Sequence, residues 1–261
     1  MEIVPLATEA DVAALAADTI EALVRAHPEA VLGLATGSSP LPAYQELIRR
    51  HRAGTGPSYA GVRAFLLDEY VGLPAGHPQT YRETIFRELT DALGIARDRV
   101  ASPDPAPDAI PTAGARYEDA IRAAGGVDLQ VLGIGADGHL AFNEPGSSLV
   151  STTRIKTLTA RTREDNARFF DSVEEVPRHV LTQGLGTIQR ARHLLLVAAG
   201  EGKAAAIAAA VEGPVSASCP ASVLQLHPRV SVLLDEAAAS RLERTAYYRE
   251  VFDAKPDWQR P

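Results

Sequence analysis

The chain has 261 residues, 46% of them apolar, and a formal net charge of −7. That length holds one large α/β domain or two small ones, with enough apolar content for a sizeable core. The acidic balance and the lack of a basic tract argue against a nucleic-acid partner. No apolar run approaches the roughly 20 residues that span a bilayer, so no membrane association is expected.

The first residues carry no basic flank and no apolar h-region, so no signal peptide is read. Cys219 is the single cysteine, which excludes an internal disulfide and fits a reducing, cytoplasmic compartment. Ahead of Pro220 it reads as an inert small residue rather than a nucleophile. The seven histidines are scattered, with no Cys/His pair at zinc-ligand spacing, so no structural metal is expected.

In chain order, residues 9–27 place Val12, Leu15, Ala16, Ile20, Leu23 and Val24 at helical spacing, with Pro28 as the stop. Residues 30–35 are a short apolar run that predicts a buried strand. It ends in Thr36-Gly37-Ser38-Ser39-Pro40, and a helix is predicted over 41–51. A strand over 62–67 runs into Asp68-Glu69-Tyr70, then a Gly/Pro-rich loop, then a helix to about 93. The proline-rich stretch 101–111 reads as a surface connection, because the β/α alternation resumes beyond it. A helix over 114–124 precedes a strand over 128–135. Residues 154–158 are β-like, and 162–170 and 176–191 are helical candidates. A strong strand at 193–198 leads to Gly200-Glu201-Gly202-Lys203 and an Ala-rich helix to 211. A last strand, 230–234, precedes a closing helix over 237–251. This alternation predicts a single α/β domain over 1–261, with an open, mostly parallel, Rossmann-like sheet covered on both faces.

In such sheets ligands sit beyond the carboxyl ends of the strands. The polar, glycine-rich segments fall there. Thr36, Gly37, Ser38 and Ser39 combine free N–H groups, hydroxyls and a helix N-terminus, which suits phosphate; simple capping of that helix by Ser38 or Ser39 is the alternative. The loop is neither a Walker loop nor a dinucleotide fingerprint. Arg168 and Lys203 are cations suited to complete a phosphate site, or else ordinary surface charges. Asp68 ends an apolar strand, where desolvation would raise its pKa and make it a base; a capping role is the alternative. Asp137, His139 and Glu144 lie within eight residues on one glycine-rich turn after the 128–135 strand. A His flanked by carboxylates shuttles protons near neutral pH. A metal-binding Asp/His/Glu set is the other option, though no further ligand cluster supports it. With no Gly-x-Ser-x-Gly elbow, the pattern favours proton transfer over acyl chemistry. Composition and pattern thus reach acid–base chemistry on a small sugar phosphate.

At these residues the chain resembles the glucosamine-6-phosphate deaminases, over nearly its whole length. The motifs are Leu-Ala-Thr-Gly-Ser-Ser-Pro (34–40), Leu-Asp-Glu-Tyr-Val-Gly-Leu (67–73), Gly-Ile-Gly-Ala-Asp-Gly-His-Leu-Ala-Phe-Asn-Glu-Pro (133–145), Thr-Arg-Ile-Lys-Thr-Leu-Thr (153–159), Asn-Ala-Arg-Phe-Phe (166–170) and Leu-Gln-Leu-His-Pro (224–228). Related 6-phosphogluconolactonases share the fold, the phosphate loop and an Asp-Gly-His turn, but typically lack the Asp-Glu-Tyr and Asn-Glu-Pro segments. Where relatives often have Gly-Gly-Thr, this chain has Gly37-Ser38-Ser39, and Ala136 stands where they often have Asn. Neither change removes an ionisable group.

The resemblance implies conversion of glucosamine 6-phosphate and water into fructose 6-phosphate and ammonia, with no cofactor. It implies that His139 moves the ring-oxygen proton, with Asp137 and Glu144 setting its orientation and charge. Asp68 would carry the proton from C2 to C1. Thr36, Gly37, Ser38, Ser39, Arg168 and Lys203 would hold the phosphate. Residues of about 154–180 would form a lid. Allosteric relatives bind N-acetylglucosamine 6-phosphate and assemble as hexamers; others are monomers. Ser147, Arg154, Lys156 and Thr157 match that effector site, whereas the tail, 246–261, does not align with theirs.

Overall fold

The computed structural model describes residues 1–256 and Gln259. Its strands are Glu2–Leu6 (β1), Val31–Leu34 (β2), Arg63–Leu66 (β3), Asp68–Val71 (β4), Val100–Ala101 (β5), Leu129–Leu132 (β6), Arg154–Thr157 (β7), His179–Thr182 (β8), Leu194–Ala198 (β9) and Val230–Asp235 (β10). The helices are Glu9–Ala26 (α1), Leu41–Arg52 (α2), Tyr81–Ile85 (α3), Asp91–Leu93 (α4), Ile110–Ala123 (α5), Ala160–Asn166 (α6), Leu185–Ile188 (α7), Ala204–Val211 (α8) and Thr245–Asp253 (α9). A π-helical turn, Phe86–Thr90, joins α3 to α4. Among the described residues no helix is long and apolar enough to cross a membrane.

Seven strands form one parallel sheet in the order β1-β10-β9-β6-β2-β3-β5. Central strands such as β2 and β9 are buried along their whole length, as apolar runs covered on both faces must be. On one face α1, α2 and the α3–α4 run pack through Val12, Ile20, Tyr44, Leu47, Ile85 and Leu89. On the other, α5, α7 and α8 pack through Tyr117, Ile121, Leu185, Ile188, Ile207 and Ala210. The chain winds outward from β2 through β3 to β5, then crosses back to β6. The strand order therefore reverses between β2 and β6, and a crevice opens at their carboxyl ends.

Besides shifted boundaries, such as a closing helix that begins at Thr245 rather than at 237, three features depart from the sequence expectation. The stretch 176–191 is not one helix: His179–Thr182 is a strand and only Leu185–Ile188 is helical. Spacing alone cannot reveal this, because β8 is fixed by partners far away in sequence. It pairs antiparallel with β4 on one side and β7 on the other, making a second, three-stranded sheet. Asp68-Glu69-Tyr70 is likewise strand rather than loop. Third, β1 adds an edge strand that was not expected. Its Pro5 is tolerated because an edge position requires no second ladder bond there.

The two sheets are joined by a buried polar knot. Glu118 of α5 accepts from the Thr153 N–H at 2.8 Å, the Thr153 hydroxyl at 2.5 Å and the Thr187 hydroxyl at 2.6 Å, and pairs with Arg190. Burial alone would push its carboxyl up; the threonine donors and Arg190 outweigh this and hold it below the ordinary range. Glu118→Ala strands these donors and is expected to cost about 3 kcal/mol. Urea unfolding should show a lower midpoint at an unchanged m-value. Because the folded pKa is depressed, the wild-type contribution is present above the unfolded value of about 4.3 and is lost as pH falls through the folded one.

Candidate active site

Four adjacent strands, β9, β6, β2 and β3, send polar segments over the same carboxyl edge of the parallel sheet. The segment after β2 contains Thr36, Gly37, Ser38 and Ser39. Its start is pinned by α2, whose Tyr44 hydroxyl donates to the Ala35 carbonyl at 2.9 Å. Gly37 takes φ +102°, a conformation that L side chains rarely adopt. The N-cap of α2 is Pro40 and no side chain caps it, so Ser38 and Ser39 are not spent on capping. The helix therefore directs its positive end and these hydroxyls at the crevice.

The segment after β6 meets the phosphate-type loop directly: a Cβ on Gly133 would lie 3.3 Å from Ser39 Cβ. Lys203, in the turn after β9, donates from Nζ to the Ile134 carbonyl at 2.7 Å. Burial lowers the Lys203 pKa; Asp137 opposes the shift, and Arg168 adds to it by repulsion. Lys203, Arg168 and Asp137 thus share one electrostatic neighbourhood. Arg168 is exposed in the short 3-10 turn after α6, its guanidinium 4.7 Å from the Phe169 ring centre.

His139 lies flat against its own loop. A Cβ on Gly135 would come within 2.2 Å of His139 Cε1 and Nδ1, so only glycine leaves room for the ring. Asp137 Oδ1 accepts from the His139 backbone N–H at 3.1 Å and sits 2.7 Å from Nδ1. That second approach is off the line of a regular hydrogen bond, and Nδ1 is buried without another partner. Glu144 Oε2 is 3.7 Å from the same nitrogen. Burial pushes Asp137 up, but the His139 N–H and imidazole outweigh it and hold the carboxyl below its ordinary value. Burial, then Asp137, push Glu144 up. The loop's turn is tight: Asn143 N–H bonds the Leu140 carbonyl at 3.0 Å, and Ala141 takes φ +50°.

Asp68 opens β4 and is 7% exposed. Among the described residues none donates a hydrogen bond to its carboxylate. Burial, with the Glu69 charge beside it, pushes its pKa up to about 8. Glu69 does different work. It accepts from the N–H groups of Tyr70 and Tyr81 at 2.9 Å and of Arg82 at 3.0 Å, and so caps α3. The capping alternative therefore belongs to Glu69 and not to Asp68. Below Asp68, Tyr117 donates to the Leu66 carbonyl at 2.7 Å and fixes the strand end.

What joins the two halves is Thr182-Gln183, which the sequence reading missed. Gln183 N–H bonds the Leu67 carbonyl at 2.7 Å, and its Nε2 bonds the Leu66 carbonyl at 3.0 Å. On the other side Thr182 Oγ1 accepts from Phe142 N–H at 3.2 Å, and Asn143 Nδ2 donates to the Gln183 carbonyl at 2.8 Å. The run 179–182, with β-branched Val180 and Thr182, hints at a strand but not at these contacts. Thr162 of α6 was also missed; its hydroxyl donates to Glu144 Oε1 at 2.9 Å.

The four residues matched to an effector site are placed as follows. Ser147 is buried with an unpartnered Oγ. Arg154 and Lys156 lie on one face of β7 and Thr157 on the other. The β-register sets Arg154, Thr182 and Asp68 in one row. Residues 154–180 are not a detached flap, since β7 and most of β8 belong to the small sheet.

Chemically the arrangement offers a buried carboxyl, a His between two carboxylates, and the cations Lys203 and Arg168 in the neighbourhood of Asp137. The Asp137, His139 and Glu144 ligand atoms lie within 4.8 Å of one another and are the set that could hold a metal ion. A cavity of about 1120 Å³ opens at the amino end of the strands, lined by His193, Arg229, Tyr247 and Phe252 among others. It contains none of the groups above, and volume without convergent chemistry does not make it the site.

Comparison with known proteins agrees with this geometry. A family model, glucosamine-6-phosphate isomerases/6-phosphogluconolactonase, matches residues 5–233. A glucosamine-6-phosphate deaminase of Arthrobacter sp. (strain FB24) is 62% identical over 259 residues, 99% of each chain. One of Corynebacterium kroppenstedtii is 61% identical over 260 residues, 100% of each. Among solved structures, a monomeric glucosamine-6-phosphate deaminase superposes with a TM-score of 0.88 at 37% identity, covering 92% of this chain and 100% of its own. The 6-phosphogluconolactonase of Trypanosoma cruzi, at 20% identity and a TM-score of 0.73, shares the fold. It covers 93% of this chain and 97% of its own. With the match spanning the sheet and every loop of the site, the chain belongs to the glucosamine-6-phosphate isomerase/6-phosphogluconolactonase family.

Proposed function

We propose that this chain is a glucosamine-6-phosphate deaminase, converting D-glucosamine 6-phosphate and water into D-fructose 6-phosphate and ammonia. The observation that carries the reading is the pair of separate acid–base centres held together by Thr182-Gln183. One is Asp68, buried and without a donor; the other is His139 between Asp137 and Glu144. An isomerisation at carbon coupled to ring opening needs two such centres.

The phosphate sits on the 36–39 loop at the α2 N-terminus, with Arg168 and Lys203 as counter-charges. That anchor positions C1 and C2. His139 takes the C1 hydroxyl proton and passes it to the ring oxygen, opening the pyranose to the amino aldehyde. Asp68 removes the C2 proton while the substrate's ammonium gives one to O1, leaving the enolamine; Asp68 then delivers its proton to C1, giving the ketimine. Water adds at C2, the carbinolamine collapses, and ammonia leaves. Atoms balance without an external oxidant or reductant.

The experiment is a product assay on the purified protein. Ammonia and fructose 6-phosphate should appear from glucosamine 6-phosphate, with and without a chelator. No release over a buffer blank overturns the reading. A parallel lactonase assay tests the other activity in the family's description, and galactosamine 6-phosphate tests the choice of hexosamine. Adding N-acetylglucosamine 6-phosphate while following kinetics and sedimentation tests whether Ser147, Arg154, Lys156 and Thr157 serve an effector, and whether the enzyme works as a monomer or a hexamer. Lys203→Met should raise KM by about 10- to 100-fold, the equivalent of the roughly 1.5–3 kcal/mol in a charge-assisted hydrogen bond. An unchanged KM would remove Lys203 from the phosphate site.

A further inference from the structure

Thr162 lies in the first turn of α6, outside the loop that carries Asp137, His139 and Glu144. Its hydroxyl reaches that loop and donates to Glu144 Oε1 at 2.9 Å. The direction follows from the chemistry: an ionised carboxylate only accepts, so the single Thr162 hydroxyl proton points at it. Thr159, the N-cap of α6, completes the arrangement. Its Oγ1 accepts from Thr162 N–H at 3.1 Å and lies 2.7 Å from Thr162 Oγ1. With the Thr162 proton committed to Glu144, the Thr159 hydroxyl must donate to Thr162. The result is a directed chain, Thr159 to Thr162 to Glu144, whose far end is the carboxylate facing His139.

Glu144 thus stands between two parts of the molecule. Oε1 is tied to α6, and Oε2 faces His139 Nδ1 at 3.7 Å. We infer that Thr162 is a positioning residue of this site: from α6 it orients the Glu144 carboxyl opposite His139. The inference rests on the deaminase reading for its kinetic consequence, but not for its geometry.

The charge balance around Glu144 supports it. Burial, then Asp137, push Glu144 up, while the Thr162 hydroxyl and the His139 ring oppose them. The groups facing this loop are Asp137 and His139 on the loop itself and Thr162 from α6. Lys203 from the β9–α8 turn and Cys219 from the segment before β10 interact with Asp137. From outside that loop, Thr162 reaches Glu144 through a hydrogen bond. Losing it removes a donor to the charged form, which shifts Glu144 toward protonation. Since α6 lies between β7 and β8 in sequence, the ionisation of Glu144 depends on where that helix sits.

The test is Thr162→Val, which keeps the shape and leaves the Thr159 cap on the Thr162 N–H intact. It should lower kcat about tenfold, the equivalent of about 1.4 kcal/mol, with KM within about twofold. The acid limb of the kcat profile should move to higher pH. Thr162→Ser, which restores the hydroxyl, should recover both. In a Glu144→Gln background the Val substitution should add nothing. A readout free of turnover is the side-chain carboxyl carbon resonance of Glu144 at one fixed pH, which should move in Thr162→Val and return in Thr162→Ser. If Val at this position does not fold, Thr162→Ala removes the same hydroxyl. An unmoved Glu144 resonance, or Ser behaving as Val, overturns the inference. Absence of turnover in the wild type overturns the deaminase reading and leaves the NMR test standing.

Discussion

Asp68→Asn is expected to lower kcat for glucosamine 6-phosphate by about 10²–10⁴-fold, with KM within about threefold. Asn matches the carboxylate in shape but cannot take the C2 proton. The proposed phosphate anchor, 36–39 with Lys203 and Arg168, comes from other loops and turns and is untouched. Burial and Glu69 place the Asp68 pKa at about 8 in the free enzyme, so kcat/KM should rise with pH through that region. The substrate's ammonium, bound near the base, favours its charged form and should move the limb of kcat lower. The same shift makes a stability prediction with a definite sign. A carboxyl whose folded pKa lies above its unfolded value stabilises the fold when protonated. That contribution is whole below about 3.9 and is lost as pH rises through the folded value. At pH 8 the Asn variant, which carries no charge to desolvate, should therefore have a higher Tm than the wild type while being nearly inactive. Full activity in the variant would remove Asp68 from the base role.

Gly135→Ala should cost about 10²-fold in kcat, nearly as much, without touching an ionisable group. Its new Cβ would sit 2.2 Å from the His139 ring, so the imidazole has to leave its place between Asp137 and Glu144. Misplacing a reacting group by about 1 Å can cost about 10²-fold. Gly135 does not need a positive φ, so the backbone accepts alanine and the effect is steric. Circular dichroism should be unchanged and inhibition by inorganic phosphate preserved. The NMR resonances of the His139 ring at fixed pH should move. Wild-type kinetics in this variant would mean that the ring position is not what limits the reaction.

The parts of this site that were legible in the sequence are those built from neighbours along the chain. Asp137, His139 and Glu144 share one turn, and the 36–39 loop announces itself by a strand, Gly37, hydroxyls and a helix in succession. The burial of Asp68 was readable because an acid ending the run 65–67 has to be desolvated. What failed was non-local. Leu181, Leu185 and Ile188 have helical spacing, yet β8 is a strand because β4 and β7 flank it. The roles of Thr182, Gln183 and Thr162 follow from that pairing and from a contact across 18 residues, so no local pattern carries them. Glu69 is simply the neighbour of Asp68 in the sequence, and only the position of α3 shows that it is a cap.

The small sheet has a consequence for how the site can open. β4, which carries Asp68, is bonded to β8, and β8 to β7, so the two ends of the segment 154–180 are fastened to the base's own strand. Lifting the whole segment would unzip the Asp68–Thr182 pairing and displace Asp68. The stretch between those strands, 158–178, can shift without doing so, but at the cost of its own contacts, Thr162 with Glu144 among them. In amide exchange the protons of β4, β7 and β8 should therefore form one slow cooperative unit, and those of α6 a faster one.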